Sequence, residues 1–139
     1  SLTLAYADDP APRSPDAPIV APTEAAAMRK VIDDQIGAFR RDDAAGAWRH
    51  VAPGLKDRFG TADRFLEMVR VGYPPMYRPR SYVFRDIVRV YDGFGQWMDV
   101  EGPDGQQMRA LYLMEKQADG TWMTSGCVLY EPGPASPAV

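Results

Sequence analysis

Asp86 is the residue whose sequence surroundings best suit acid–base chemistry. It lies in a predicted strand, residues 82–91, in which alternate side chains share one face. Its companions on that face are apolar or aromatic: Tyr82, Phe84, Val88 and Val90. If this face is buried, desolvation raises the pKa of the Asp86 carboxyl and makes it a candidate general base. The competing interpretation is a β-bulge that turns Asp86 outward, or an ion pair with a nearby arginine.

A second candidate is a proline-rich connector, residues 73–80, which groups aromatic and cationic side chains. Arg78 and Arg80 suit the rim of a pocket that binds an anionic or planar ligand. Tyr73, Met76 and Tyr77 stand beside them, and these side chains can equally well fill the core of the domain. The three prolines of the segment predict an extended connector and not a helix.

His50 and Cys127 are the only histidine and the only cysteine of the chain. An intramolecular disulfide is therefore impossible, and we expect no metal site and no cofactor. His50 follows Trp48 near the end of a predicted helix, where a cation more often complements the helix dipole than shuttles protons. Cys127 alternates with apolar residues in the last predicted strand, which predicts a small, buried side chain.

The length, net charge and hydropathy of the chain limit the functions that it can have. A length of 139 residues fits one domain. The net charge of -3 argues against the basic surface that nucleic-acid binding requires. No stretch is long and apolar enough to predict a membrane span. We therefore expect neither a nucleic-acid partner nor a membrane-spanning segment.

Four strands are predicted in the C-terminal half, at residues 82–91, 96–101, 107–117 and 121–130. Turns that contain glycine separate them, and such regular reversals predict an antiparallel meander. Gly126, inside the last strand, predicts a bulge or a bend that helps the sheet to curl.

Three helical segments are predicted before the sheet. The first has Thr23 as its expected N-cap and an apolar stripe at helical spacing. The stripe consists of Met28, Val31, Ile32, Gln35, Ile36 and Phe39. Asp42 or Asp43 caps a second helix that Pro53 ends, and Thr61 caps a third. Helices followed by strands predict an α+β fold, with three helical segments packed on one face of a curled four-stranded sheet.

Both ends of the chain are predicted to lie outside a single folded domain of residues 23–131. Residues 8–22 are rich in proline and alanine and predict a disordered leader, and residues 132–139 a disordered tail. Ala5-Tyr6-Ala7 fits the small-x-small cleavage pattern of signal peptides, so we expect a periplasmic or secreted protein. The alternative is an arbitrary chain boundary in a cytosolic protein.

Two sets of residues resemble known families. Residues 31–39 and 42–45 resemble the opening helices of nuclear transport factor 2-like domains, cone-shaped α+β folds of cystatin-like type. Residues 65–73, 77–81, 111–115, 119–122 and 126–127 resemble a small family of exported bacterial proteins described as a domain of unknown function. The resemblance implies a curled sheet and a pocket between sheet and helices, but no activity. Residues 53–60 are too few for the strand pair that many such domains carry, which implies a shallower cone.

The resemblance also places the candidate residues. In the ketosteroid-isomerase branch of this fold an acid on the sheet works beside a hydroxyl donor, which implies Asp86 with Tyr112, or with Tyr82 or Tyr130. The candidates that line the pocket are Trp48, Phe65, Tyr73, Tyr77, Tyr82, Phe84, Tyr112 and Trp122.

Three hypotheses follow. The first is a module without catalytic activity that binds a small apolar or anionic ligand, or a partner protein. The second is an acid–base enzyme of isomerase or dehydratase type that uses Asp86. The third is a structural homodimer through the exposed sheet face, with Ile87, Leu111 and Leu113 as its contact residues.

Overall fold

The computed structural model describes residues 18–91 and 93–131. Five helices come first: α1 (Pro22–Arg40), α2 (Ala44–Trp48), α3 (Pro53–Phe59), α4 (Ala62–Gly72) and α5 (Pro74–Tyr77). Four strands follow: β1 (Ser81–Val90), β2 (Gly93–Glu101), β3 (Gln107–Lys116) and β4 (Trp122–Tyr130). The predicted α+β class, with the helices before four strands, is confirmed. Most of the predicted leader and the whole predicted tail lie outside the described residues.

The sheet is an antiparallel meander in which each strand pairs with the next one along the chain. The reversal between β1 and β2 differs from the prediction, because Gly93 and Gly95 already belong to β2 and Tyr91 has the positive φ of 50°. Gly93 serves the close approach of two strands: a Cβ there would lie 2.3 Å from the Met114 carbonyl oxygen. The curl of the sheet into a cone remains a prediction.

A β-bulge in β1 decides where Asp86 points. Phe84 pairs with Met98, and Ile87 pairs with Gln96. Between these two pairs β1 has two residues where β2 has only one, which is a β-bulge. The extra residue breaks the alternation, and Ile87 turns to the core while Asp86 is exposed. The prediction that Asp86 shares an inward face with Phe84 is therefore wrong, and the predicted alternative of an outward-turning bulge is confirmed.

The starts of three helices test the predicted caps. Asp43 accepts a hydrogen bond from the Gly46 N–H, and Thr61 accepts one from the Arg64 N–H, as expected of N-caps. The prediction for Thr23 is wrong, since α1 begins at Pro22 and has no side-chain cap. Proline favours the first helical position because its missing N–H would have no partner there in any case.

The same property of proline corrects the predicted connector. Pro74 and Pro75 open the short helix α5, where we expected an extended chain. Pro53 opens α3, where we expected it to end the preceding helix. In both places proline occupies the first turn, where its fixed φ suits the helix and no backbone hydrogen bond is lost. The described part of the chain therefore has five helices instead of three helical segments.

Two clusters of buried side chains form the core. The first lies between α1 and the inner face of the sheet and contains Met28, Ile32, Ile36, Met76, Met98, Val100, Ala110, Tyr112, Met114 and Trp122. The second lies among the helices and contains Ala38, Phe39, Ala47, Val51, Phe65, Val69 and Tyr77. The neighbouring residues Met76 and Tyr77 of α5 thus belong to different clusters. On the other side of the sheet, Val83, Val128 and Tyr130 are exposed.

Candidate functional site

A cavity of about 330 Å³ lies where α1, α3 and α4 meet the β4 edge of the sheet. We call it the Phe65 cavity. Its apolar walls are formed by Phe39, Leu55, Phe59, Phe65, Met68 and Val69 together with parts of β3 and β4. Met76 and Tyr112 also line it, so the cavity draws side chains from both core clusters. An apolar hollow with a few polar groups is the usual form of a small-molecule site.

Phe65 is the centre of the aromatic wall. Its ring centroid lies 6.0 Å from that of Phe39, 5.6 Å from that of Phe59 and 5.8 Å from that of Trp48. These spacings and tilts are those of favourable aromatic pairs, so the three neighbours hold the Phe65 ring in place. Thr61 caps the amphipathic helix α4 and so fixes where it begins. Phe65 lies on the buried side of this helix.

A buried polar network forms one side of the cavity. The Tyr112 hydroxyl donates to Gln35 Oε1 over 2.6 Å. Gln35 Nε2 donates both of its hydrogens, to the Ala47 carbonyl at 3.0 Å and to Thr124 Oγ1 at 3.2 Å. Thr124 Oγ1 in turn donates to the His50 carbonyl over 3.0 Å. Every hydrogen of these three side chains is therefore used within the protein.

Burial keeps the protons of two groups of the cavity in place. Burial raises the pKa of the Cys127 thiol to about 12. Burial also raises the pKa of the Tyr112 hydroxyl well above its ordinary value of 10.0. At neutral pH the thiol is thus neither a thiolate nucleophile nor a negative charge. Cys127, predicted to be buried, is partly buried and packs against the core.

A second bulge shapes the wall on β4. Leu113 pairs with Gly126 and Met114 pairs with Thr124, which leaves Ser125 as the extra residue. The bulge or bend predicted at Gly126 is confirmed. Ser125 and Gly126 both line the Phe65 cavity, so the irregularity of the strand lies at the cavity itself.

The predicted pocket residues divide into two groups. Phe65, Tyr73 and Tyr112 line the Phe65 cavity. The others occupy packing positions outside it: Trp48, Tyr77, Tyr82, Phe84 and Trp122. Tyr82 and Phe84 lie on the edge strand β1, remote in the sheet order from β4, and contact arginines of α1.

The predicted rim arginines have other roles. Arg78 donates to the Phe39 carbonyl and, over 2.8 Å, to Asp42 Oδ1, so it closes the C-terminal end of α1. The Arg80 N–H donates to the Glu101 carbonyl, and its side chain lies beside Gly105. Neither lines the Phe65 cavity, which contains Arg58 instead. Nothing in the sequence distinguishes Arg58 from the other arginines, because only the packing of α3 brings it to the cavity.

Asp86 and Tyr112 are not brought together. Asp86 is exposed on β1, does not line the cavity and pairs with no arginine among the described residues. Arg85 and Arg109 bind Asp99 instead, at 2.7 and 3.4 Å. Tyr82 donates its hydroxyl hydrogen to Asp33, and Tyr130 stacks near Trp97 on the outer side of the sheet.

His50 also departs from its predicted role. α2 ends at Trp48, so His50 lies beyond the helix and is not within its last turn. Burial lowers the pKa of His50 below its ordinary value of 6.5, more than Asp34 raises it. The part of His50 that contributes to the cavity network is its backbone carbonyl.

Within residues 18–91 and 93–131, no cluster of three or more His, Cys, Asp or Glu side chains is arranged to hold a metal ion. The helices of the same residues include none with the length and apolar character needed to cross a membrane.

The comparisons with known proteins identify a family and no individual relative. No curated protein and no solved structure is significantly similar to the chain. The model of one family, described as Domain of unknown function (DUF4864), matches residues 21–136. That match spans most of the chain, including all five helices and all four strands. The chain therefore belongs to the family Domain of unknown function (DUF4864).

Proposed function

We propose that the protein is a binding module that holds a small, largely apolar molecule in the Phe65 cavity. The observation that carries the proposal is the cavity itself, with apolar walls around a polar network that needs no further partner. Its volume of about 330 Å³ lies near the lower end of the range of roughly 300–1,000 Å³ typical of ligand sites. A ligand of one or two rings, or a short chain, matches that size.

The acid–base alternative has less support. A general base must lie within hydrogen-bond reach of the proton that it abstracts, directly or through one water. Among the described residues, no carboxylate and no histidine lines the Phe65 cavity. The predicted base, Asp86, is exposed on another strand, so an isomerase or dehydratase that uses it would need a different site.

A pair of tryptophan substitutions on one helix tests the proposal. Met68 lines the cavity, whereas Val71 is 64% exposed on the same helix. We expect 4-phenylbutanol to raise the Tm of the original protein and of Val71→Trp, because each has an open cavity. Met68→Trp fills the cavity and should abolish the rise. A rise of equal size in Met68→Trp would place the binding elsewhere and contradict the proposal.

A homodimer is the second candidate, with a second copy of the chain covering the outer sheet face. We define this face by Val83, Trp97, Leu111, Val128 and Tyr130. Val83, Val128 and Tyr130 are 50%, 38% and 45% exposed. Four strands of nine or ten residues present about 600 Å². Two such faces bury about 1,200 Å², the lower end of a standard interface.

One of the three predicted dimer contacts has moved, because the bulge in β1 turns Ile87 to the core. Leu113 shares the face of Leu111, two residues before it on β3, and also borders the Phe65 cavity. We expect sedimentation analysis to find a dimer that Leu111→Glu converts to a monomer. A monomer at every concentration would exclude this candidate.

The finer family and compartment assignments are proposals too. Export rests on Ala5-Tyr6-Ala7, and kinship with nuclear transport factor 2-like domains rests on residues 31–39 and 42–45. To test export, the gene is expressed from its own start codon and the intact mass of the periplasmic protein is measured, which shows whether the signal peptide has been cleaved. A protein recovered uncleaved from the cytoplasm would contradict export.

A further inference from the structure

We infer that the ligand of the Phe65 cavity is a small carboxylic acid with an apolar body, whose carboxylate binds Arg58 at the cavity mouth. The inference rests on the proposed function and adds the chemistry and the orientation of the ligand. The hydrogen-bond donors that the cavity can offer decide both.

The polar network has no donor to spare for a carboxylate. An ionised carboxylate only accepts hydrogen bonds, so it needs N–H or O–H groups directed at it. Tyr112, Gln35 and Thr124 already donate all their side-chain hydrogens to partners inside the protein. A carboxylate placed beside them would lose its hydration without replacement, which is costly. The part of the cavity beside these three side chains therefore suits an apolar group.

Arg58 supplies what the network lacks. In the part of the chain that the structure describes, it is the one charged residue that lines the cavity, and its side chain is exposed, so it belongs to the open side. Arg58 forms no hydrogen bond or ion pair with the other residues that the structure describes. By contrast, Arg78 is bound to Asp42, and Arg85 to Asp99. A free guanidinium beside an apolar cavity is therefore available to a ligand.

The planar shape and the single positive charge of Arg58 select the head group of the ligand. The planar guanidinium matches a carboxylate through two parallel hydrogen bonds. A phosphate carries nearly two negative charges, and the cavity offers one cation. The five aromatic rings of the lining, those of Phe39, Phe59, Phe65, Tyr73 and Tyr112, suit an aryl group as the apolar body. An aryl-alkyl monocarboxylate combines these features.

The experiment compares 4-phenylbutyrate with 4-phenylbutanol, which differ chiefly in the charge of the head group. Calorimetry measures both with the original protein, Arg58→Gln and Arg64→Gln. Arg64 is another exposed arginine, on the next helix, and does not line the cavity. We expect the acid to bind about fivefold more tightly than the alcohol, the upper range for a solvent-exposed ion pair. Arg58→Gln should remove that preference and Arg64→Gln should keep it.

Each outcome bears on the inference. Partial rescue of the preference by Arg58→Lys supports it, because the charge is restored without the planar fork. Equal binding of acid and alcohol in the original protein overturns the inference but leaves the proposed apolar binding intact. Loss of the preference in Arg64→Gln as well as in Arg58→Gln also overturns it, since a general surface potential would then be responsible. Binding of neither probe overturns both the inference and the proposed function.

Discussion

Tyr112 of β3 donates its hydroxyl hydrogen to Gln35 of α1 over 2.6 Å, and both side chains are buried. This bond joins the central part of the sheet to the longest helix across the wall of the Phe65 cavity. Gln35 is also bonded to Ala47 and Thr124, so one amide connects α1 with α2, β3 and β4.

Tyr112→Phe should destabilise the protein by about 1–3 kcal/mol, because it leaves the buried Gln35 Oε1 without a donor. Urea unfolding followed by tryptophan fluorescence measures the change. Adding Gln35→Met to Tyr112→Phe should cost less than the sum of the two single changes, since the two residues share one bond. Strict additivity of the two changes would contradict the described bond.

Two tyrosine–aspartate hydrogen bonds should differ in their contribution to stability. Tyr77 is buried and donates to Asp42, whereas Tyr82 donates to Asp33 at an exposed position. We expect Tyr77→Phe to lower the free energy of unfolding by about 1 kcal/mol, and Tyr82→Phe by less, because water can replace the second bond. Equal losses in urea unfolding would show that the burial of Tyr77 is not what matters.

Asp86→Asn should change the free energy of unfolding by less than about 0.5 kcal/mol, as expected for an exposed residue with no partner within residues 18–91 and 93–131. Phe84→Ala, two residues away and packed against the core, should cost about 1–2 kcal/mol. The binding of 4-phenylbutanol should survive Asp86→Asn unchanged. A ligand response that disappears in Asp86→Asn would restore the acid–base hypothesis.

His50 should make stability depend on pH. Burial lowers its folded pKa below 6.5, and the charges of Arg49 and Lys30 lower it further, while Asp34 opposes them. The unfolded chain then binds the proton more readily, so stability is fully present above about pH 6.5 and decreases as the pH falls below that value.

Thermal unfolding between pH 7.5 and pH 5 tests this expectation. His50→Gln keeps both backbone groups and should flatten the dependence of stability on pH below about pH 6.5. A slope that is the same in His50→Gln would assign it to other groups.

The fold was largely predictable from local patterns. Turn residues between apolar runs predicted all four strands, and the caps at Asp43 and Thr61 predicted two helix starts. Two of the errors share one physical cause: Pro53 and Pro74 do not break helices but stand in first turns. Position within a helix, and not residue type alone, decides what proline does.

The candidate site was less predictable. Alternation along β1 predicted an inward Asp86, but a single extra residue reversed the faces, and such a bulge leaves no clear local signal there. Gln35 was visible as a polar residue on an apolar stripe, which is a sign of a buried hydrogen bond. Arg58 had no such sign, because its place depends on how α3 packs against β4 over a long sequence separation.

The Phe65 cavity lies on the boundary between the sheet cluster and the helical cluster, which α5 links through Met76 and Tyr77. Without a molecule in the cavity, we expect the helical half to open on its own, so that amide protons there exchange without global unfolding. A molecule seated across both halves would couple them mechanically. Occupancy should then slow exchange in α2 and α4 together, so that the domain opens as one cooperative body.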